Sequence, residues 1–385
     1  MSLCLAGWWP GKGHVAGIFI REHIHAIARH RPVQVVHVSV EKAGLSWPRT
    51  TCSTTMEEGL TVHHIRIRTP VRRFGVPAWL TKRAYERLFA RSPKPAIMHI
   101  HVRTEATATA TSLAAAMGVP VIVTEHNSFY HLGIRALPPD EQARERAAIR
   151  RWFADANIKK VMPVSNDLAR VLVDEFGVDH SRIEVVPNVA ADVFLPAMHP
   201  SGMPFRILLA SVWRPPKDHD VFIKALSMLT PSLRTRVLVE WAGFGPDMER
   251  IQQRCREELP DVEIRFTGAM TKAELARSMQ AADLFVLPTK ADNLPCVVLE
   301  SHCCGTPVVS MRVNGVPEMI DATNGLLVPP SSPEELASAL TRCITGEVRF
   351  DREAIARAAA QRYSMAAVAD RLERIQQEVL GQESH

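Results

Sequence analysis

Residues 283–309, DLFVLPTKADNLPCVVLESHCCGTPVV, contain two apolar runs separated by a polar loop, a helical segment and a Gly-Thr-Pro turn. The first run has the length of a buried strand, and Pro295 and Gly305 are residue types that favour the start and the end of a helix. The stretch therefore predicts a strand, a loop over 289–293, a helix to about Cys304 and a second strand. This order is typical of a parallel sheet covered by helices.

Strand-length apolar runs alternate with helix-length amphipathic segments along the whole chain. The predicted strands are SLCLA, VQVVHVSV, AIMHIHV, VPVIVTE, KKVMPVS and RIEVVP in the first half, and FRILLAS, RVLVEWA, VEIRFTG, DLFVLP, PVVSM and GLLVP in the second. Such alternation is typical of doubly wound sheets. Because 385 residues are more than one hydrophobic core usually serves, we predict two α/β domains.

The segment 187–205 is rich in proline and small residues, and we predict that it links the two domains. A Rossmann-like domain is expected over 1–190 and a second one over 191–365. The remaining residues, 366–385, are expected to form a helix that packs back across the linker. Two doubly wound domains joined in this way would face each other across a cleft at the carboxyl ends of their strands, where such sheets bind ligands.

The composition is that of a soluble globular protein, with 46% hydrophobic residues and a mean hydropathy of -0.04. No stretch approaches the roughly 20 apolar residues of a membrane span. The N-terminus lacks the basic and long apolar regions of a secretory signal. Seven cysteines without C-x-x-C spacing indicate reduced thiols, and the neighbouring Cys303 and Cys304 are expected to be small buried hydrophobes. We therefore expect a cytoplasmic protein.

The net charge of +5 is unevenly distributed, because residues 1–190 contain 25 Lys+Arg and 16 Asp+Glu. Much of the excess lies in residues 64–94, where nine basic residues accompany the single acid Glu86 and several aromatic residues. The basic residues are Arg66, Arg68, Arg72, Arg73, Lys82, Arg83, Arg87, Arg91 and Lys94. Such a stretch suits an anionic partner, which could be a membrane surface, a phosphorylated acceptor or nucleic acid. An ordinary solvated helix face is an equal alternative.

The predicted helix that begins near Pro295 carries partial positive charge at its first amides, which favours phosphate oxygens. Glu300 lies about one and a half turns inside this helix, on the face that it shares with Cys296. A carboxylate at that depth needs hydrogen-bond donors, and sugar hydroxyls would supply them. The helix is therefore predicted to bind a phosphorylated sugar compound.

The spacing from Asp292 to Glu300, D-x7-E, resembles the E-x7-E signature of glycosyltransferase family 4, whose enzymes have the two-domain GT-B architecture. The resemblance covers nearly the whole chain. It implies that Glu300 binds the ribose of a nucleotide. It also implies that Asp292, with the following Asn293, Leu294 and Pro295, holds the donor sugar and its diphosphate.

Three further segments of the second half resemble the same family. The segment ASVWRPPKDHDVFIKAL is similar to its R-x-x-K loop, so Arg214 and Lys217 are expected to neutralise a departing diphosphate, although Asp218 replaces the usual glycine. The turn GFGP implies that Gly243 and Gly245 allow the backbone to approach the nucleotide closely. Gly268 is expected near the base. The family's Pro-Asn-Gly hinge is Pro187-Asn188-Val189 here.

The N-terminal half resembles the family more loosely. The segment PGKGHVAGIFIREHIHAIA is similar to its first loop and helix, where Gly13 and Gly17 would let amides approach donor phosphate or acceptor. His126 follows a predicted strand, where the family often has a histidine near the reacting centre. His99 and His101 have a spacing that suits metal ligands, but the sequence identifies no third ligand, so we expect no metal.

The sequence thus predicts a glycosyltransferase that moves a sugar from a nucleoside-diphosphate sugar to a hydroxyl of a glycan or lipid-linked acceptor. The resemblance implies retention of configuration, no cofactor and no essential metal, and a role in cell-surface polysaccharide or glycolipid synthesis. Residues 64–94 are expected to contact an anionic membrane surface rather than nucleic acid. Two alternatives remain: a non-catalytic nucleotide-sugar-binding protein of the same architecture, and a dinucleotide-dependent oxidoreductase, for which GFGPDM is only a partial fingerprint.

Overall fold

The structure is a computed structural model that describes residues 1–7, 9, 17–42, 49–69, 78–90, 92–200 and 202–381. The chain separates into two compact units. Met1–Pro187 together with Val368–His385 form one unit, which we call the seven-stranded unit. Asn188–Ala367 form the other, which we call the six-stranded unit. Each is built on its own sheet, so the predicted α/β class with two sheets is confirmed.

The seven-stranded unit has its sheet in the order β3-β4-β2-β1-β5-β6-β7. Its strands are β1 (Ser2–Ala6), β2 (Val33–Lys42), β3 (Arg49–Glu57), β4 (Leu60–Thr69), β5 (Ile97–His101), β6 (Val121–Glu125) and β7 (Ile158–Pro163). Its helices include α1 (Ile18–Ala28), α2 (Ala78–Phe89), α3 (Glu105–Ala116), α4 (Pro139–Phe153) and α5 (Asn166–Phe176). Neighbouring strands are parallel except β3 and β4. The central strands β1, β5 and β6 are buried along their whole length, which is typical of a sheet covered on both faces.

The six-stranded unit has an all-parallel sheet in the order β10-β9-β8-β11-β12-β13. Its strands are β8 (Phe205–Val212), β9 (Val237–Phe244), β10 (Glu263–Gly268), β11 (Leu284–Leu287), β12 (Val308–Met311) and β13 (Gly325–Val328). Its helices are α6 (His219–Ser227), α7 (Pro231–Arg234), α8 (Met248–Glu258), α9 (Lys272–Ala281), α10 (Cys296–Cys303), α11 (Pro333–Thr345) and α12 (Arg352–Tyr363). Trp213, Trp241 and Phe222 are among the large side chains buried in its core.

The last helix, α13 (Met365–Leu380), belongs from Val368 onward to the seven-stranded unit. Ser2 Oγ donates a hydrogen bond to Gln376 Oε1 over 2.7 Å, and Arg31 binds Glu373 through two nitrogens at 2.5 and 2.7 Å. These contacts tie the helix to β1 and to the segment after α1. None of the described helices combines the length and the apolar composition that a bilayer crossing requires.

Two features of the seven-stranded sheet differ from the predicted strands. The segment RIEVVP is extended beside β7 but forms only an isolated bridge between Val161 and Ile183, since Pro163 has no N–H to return a ladder hydrogen bond. The hairpin of β3 and β4 was not predicted, because β3 is mostly exposed and carries little apolar pattern. Its turn, Glu58-Gly59, has positive φ at both residues. Arg66 and Arg68 therefore lie on a strand.

Candidate functional site

Lys217 and Asp292 form an ion pair in the six-stranded unit, with Lys217 Nζ 2.5 Å from Asp292 Oδ2. The two side chains are only 17% and 21% exposed. Lys217 lies in the loop between β8 and α6, and Asp292 lies in the loop between β11 and α10. These loops follow neighbouring parallel strands, so both residues lie at the carboxyl edge of the sheet.

Backbone hydrogen bonds join these two loops directly. Asp218 N–H donates to Pro288 O over 3.0 Å, and Lys290 N–H donates to Pro216 O over 2.9 Å. Lys217 and Thr289 form an isolated antiparallel bridge between them. The loop of Lys217 and the loop of Asp292 therefore hold each other in place, which fixes the position of the Lys217 ammonium. Electrostatic stabilisation by a preorganised group requires such a fixed position.

Asp218, which stands where the family usually has glycine, has a defined role in the same loops. It is the N-cap residue of α6 with φ of -109°, a conformation that does not require glycine. Its buried carboxylate lies 3.1 Å from Lys290 Nζ and accepts a hydrogen bond from Ser331 Oγ over 3.2 Å. The replacement thus adds a second ion pair between the two loops.

Helix α10 begins directly after the loop of Asp292. Pro295 is its N-cap rather than its first helical residue, and because proline has no polar side chain, no side-chain hydrogen bond caps the first turn. Cys296 and Val297, the first helical residues, are half-buried, and Glu300 is buried one turn later. At the other end Gly305, with φ of +77°, terminates the helix as predicted.

Asn188 holds the loop that leads into α10. Its Nδ2 donates to Leu294 O over 2.7 Å, and Asn188, Asn293 and Leu294 are all buried. The sequence predicts only a hinge motif at Asn188 and not this contact, although the Pro-Asn pair was the available signal. Arg214, in contrast, is exposed and forms no ion pair with any residue that the structure describes.

Gly243 and Gly245 allow a close approach, but the partner is the protein's own backbone. A Cβ on Gly243 would lie 1.9 Å from Ser211 O, and a Cβ on Gly245 would lie 2.4 Å from Trp213 O. Both glycines have positive φ, +125° and +155°. Gly268 differs, since at φ of +72° it has open space around its Cβ position. Only the positive φ requires glycine there.

In the seven-stranded unit, Gly17 is the left-handed N-cap of α1, with φ of 83°. Gly13 lies outside the described residues. His126 follows β6 at the carboxyl edge of the sheet and is buried, with its ring centroid 4.7 Å from that of Phe19 and 4.9 Å from that of His23.

His126 belongs to a buried group of histidines at this edge. The rings of His99 and His101 stack at 4.1 Å, and His23 from α1 and Cys4 from β1 complete the group. Burial lowers the pKa of His23 to about 4 and holds the pKa of His99 and of His101 well below the ordinary range. These imidazoles are therefore neutral at pH 7.

Glu125 precedes His126 and is completely buried. Its Oε1 accepts hydrogen bonds from the Arg103 N–H over 2.7 Å and from the Tyr130 hydroxyl over 2.8 Å. Burial nevertheless raises the pKa of Glu125 to about 7. Glu125 was not predicted as a functional residue, because a single acid at the end of a strand carries no pattern.

Comparisons with known proteins agree across both halves of the chain. Residues 16–190 match the family described as Glycosyltransferase Family 4, and residues 204–346 match the family described as Glycosyl transferases group 1. The D-inositol 3-phosphate glycosyltransferase of Frankia alni is 27% identical in an alignment of 366 positions that covers 87% of each chain. The protein of the same name from a Nocardioides species is 33% identical over 48% of this chain and 45% of its own length.

Solved structures resemble the whole chain. The HepE protein of Anabaena in complex with UDP and glucose has a TM-score of 0.71 at 16% identity, over 97% of this chain and 98% of its own. The sucrose-phosphate synthase of Thermosynechococcus elongatus has a TM-score of 0.73 at 15% identity, over 99% of both chains. At such low identity the likeness establishes the fold alone.

Proposed function

Because this chain is a glycosyltransferase of the group 1, family 4 type with the GT-B fold, we propose that it transfers a glycosyl group from a nucleoside-diphosphate sugar to a hydroxyl of a glycan or lipid-linked acceptor. We further propose that the anomeric configuration is retained, as the resemblance to family 4 implies. A role in cell-surface polysaccharide or glycolipid synthesis follows from the same proposal.

The observation that carries the mechanism is the Lys217–Asp292 pair beside the start of α10. As the bond to the diphosphate breaks, negative charge grows on the leaving group. The Lys217 ammonium, the exposed Arg214 and the first amides of α10 are the groups proposed to stabilise that charge. They can do so without a metal ion, so we propose a transferase that needs none.

Asp292 has a double role in this proposal. Without donor, its carboxylate neutralises Lys217 and holds it in place at 2.5 Å. When a diphosphate binds, the ammonium acquires a second anionic partner and the carboxylate becomes available to the hydroxyls of the donor sugar. Glu300 is proposed to accept hydrogen bonds from the ribose, and Asn293, Leu294 and Pro295 to present the diphosphate-binding amides.

The three glycines of the second half receive different roles under this proposal. Gly243 and Gly245 let the end of β9 and the following turn pack against Ser211 and Trp213, and we propose that this packing shapes the floor of the nucleotide site. Gly268 leaves open space at the end of β10, where we propose that the base lies. We propose that Gly13 and Gly17 let backbone amides approach the donor phosphate or the acceptor. His126 is proposed to lie near the reacting centre.

The donor can be identified by binding. HepE is named as a complex with UDP and, in another structure, with UDP-glucose, so we propose a uridine nucleotide first. Uridine, guanosine and adenosine diphosphate sugars would be compared for protection against heat unfolding, since a ligand that binds only the native state raises the Tm. The nucleotide that protects would then be tested for sugar transfer to acceptor. Protection without transfer to any acceptor would favour a binding protein instead.

The acceptor is proposed to carry phosphate. The relatives' name contains inositol 3-phosphate, and residues 1–190 of this chain hold an excess of nine positive charges. Transfer would be measured with inositol 3-phosphate and with a polyprenyl-diphosphate-linked sugar, each against its dephosphorylated form. Equal rates with and without the phosphate would contradict the proposal.

We also propose that α2 rests on an anionic membrane surface at the cytoplasmic side. Trp79, Lys82, Arg83 and Arg87 are exposed on this helix and Glu86 is the one exposed acid among them, whereas Leu80, Thr81, Ala84 and Tyr85 are buried. A cationic face with an exposed tryptophan suits lipid headgroups. Arg72, Arg73 and Arg91 of the same stretch lie outside the described residues.

Liposome sedimentation tests this surface. A K82Q/R83Q/R87Q variant is expected to lose binding to vesicles that contain anionic lipid, while a K159Q/R170Q variant, changed at two cations elsewhere in the seven-stranded unit, retains it. Equal sedimentation of the two variants with such vesicles would remove α2 from the membrane contact.

A further inference from the structure

The histidine group of the seven-stranded unit contains three imidazoles whose positions suit a metal ion. One ring nitrogen from each of His23, His101 and His126 lies within 4.8 Å of the others. His23 comes from α1, His101 ends β5 and His126 follows β6, so three separate elements converge on one point. The sequence offered only the H-x-H spacing of His99 and His101 and could not identify the residue from the helix.

The hydrogen bond of His23 determines which of its nitrogens is available. His23 Nε2 lies 2.9 Å from Pro187 O, and because a carbonyl can only accept, Nε2 must carry the proton. Nδ1 therefore has the lone pair, and it is buried without a hydrogen-bond partner. Metal-binding histidines usually donate their other N–H to a backbone carbonyl or a carboxylate in this way.

His101 supplies the second argument. Its side chain is completely buried, and neither ring nitrogen has a hydrogen-bond partner among the described residues. A neutral imidazole carries one donor and one acceptor, and leaving such groups unsatisfied in the interior is unfavourable. A ligand that accepts the lone pair of His101 would remove part of that cost.

From this geometry we propose that His23, His101 and His126 bind a divalent transition-metal ion, with Zn²⁺ as the best fit. Three histidine imidazoles are a ligand set that zinc uses when its fourth position holds water or another oxygen ligand. In a tetrahedral site the nitrogens lie about 3.4 Å apart, so the present separations of up to 4.8 Å would shorten when an ion binds. His126, which is 8% exposed, is the ligand nearest to solvent.

A second set at the same edge competes for His101. Cys4, His99 and His101 also lie within 4.8 Å of one another. We favour the histidine set because Cys4, His99 and His101 have no exposed surface, whereas His126 keeps 8% of its surface in solvent and leaves an ion a path into the site. His99 resembles His23 in its hydrogen bonding, since its Nε2 lies 2.7 Å from Thr124 Oγ1 and its Nδ1 is buried without a partner among the described residues, so the experiment must separate the two sets.

The test measures zinc bound by the full chain after removal of metal with a chelator. Wild type is expected to take up one equivalent that survives gel filtration and raises the Tm. His23→Gln and His101→Gln should each lose this equivalent. Cys4→Ala, His99→Gln and His180→Gln, the last changed at an exposed histidine, should retain it. Thermal unfolding of each metal-free variant verifies that it is folded.

Two results would overturn the proposal. One is that wild type and His23→Gln bind the same amount of zinc. The other is that Cys4→Ala loses the equivalent while His23→Gln keeps it, which would assign the metal to the thiol set. Cobalt in place of zinc gives an independent readout, because a thiolate ligand adds an intense near-ultraviolet band and a histidine set does not. None of these readouts depends on sugar transfer, so the proposed transferase function is tested separately.

Discussion

The Lys217–Asp292 pair at the carboxyl edge of the six-stranded sheet is charged and partly exposed, whereas His23, His99 and His101 of the seven-stranded unit are neutral and buried. Lys217 and Asp292 keep 17% and 21% of their side-chain surface in solvent and form an ion pair. His23, His99 and His101 have no exposed surface, and their pKa values are lowered by burial. In each unit the doubly wound topology places polar side chains at the carboxyl edge of the sheet. The extent of burial then decides whether those side chains are charged.

The first prediction tests how tightly residues pack at the carboxyl edge of the six-stranded sheet. Gly243→Ala would place a Cβ 1.9 Å from Ser211 O at φ of +125°, so we expect the free energy of unfolding to fall by about 4 kcal/mol. Gly268→Ala, with positive φ but open space, should cost about 1 kcal/mol. Urea unfolding measures both. Equal losses would mean that the end of β9 shifts easily and that the carboxyl edge of the six-stranded sheet is not tightly packed.

The second prediction concerns the buried edge. Native Glu125 has its pKa raised to about 7, while the unfolded carboxyl ionises near 4.5, so the native state binds more protons between these values. The protonated Glu125 carboxyl contributes stability that is lost as the pH rises from about 4.5. Above pH 7 the loss in the free energy of unfolding reaches about 3 kcal/mol. Glu125→Gln removes this loss. Its stability relative to wild type should be near zero at pH 4.5 and about 3 kcal/mol more favourable above pH 7.

Urea titrations at several pH values measure this difference. Glu141→Gln on the exposed face of α4 is the matched control and should follow wild type at every pH. A Glu125→Gln difference that does not change with pH would contradict a carboxyl that is protonated because it is buried.

The third prediction concerns the charged edge. Lys217→Ala removes a preorganised cation from the proposed leaving-group site, and kcat should fall about a hundredfold, or about 3 kcal/mol, while the fold survives. Lys290→Ala is the control, because Lys290 lies in the neighbouring loop with Asp292 but pairs with Asp218. It should change kcat by less than about threefold. Near-wild-type turnover of Lys217→Ala would remove Lys217 from the mechanism.

The strands and the loop residues of the six-stranded unit could be predicted because each carries a local pattern. Buried parallel strands are continuous apolar runs, and Lys217, Asp292 and Glu300 stand in recognisable spacings. The exposed strand β3 could not be predicted, since nothing apolar repeats along it. The three-histidine group could not be predicted either, because it joins a helix and two strand ends that are distant in sequence, and only the sheet order brings them together.

The smallest effect is expected for Glu300. It is an acid like Asp292 of the charged pair, but it is buried like the histidines of the seven-stranded unit. Glu300→Gln keeps the shape of the side chain and replaces a charged acceptor by a neutral one. Hydrogen bonds to a charged acceptor are about twice as strong as neutral ones, so the affinity for a nucleoside diphosphate should fall about tenfold. Calorimetry with UDP measures this, with Glu249→Gln on the exposed face of α8 as the control. An unchanged Kd in a folded variant would mean that Glu300 serves packing in α10 rather than the ribose.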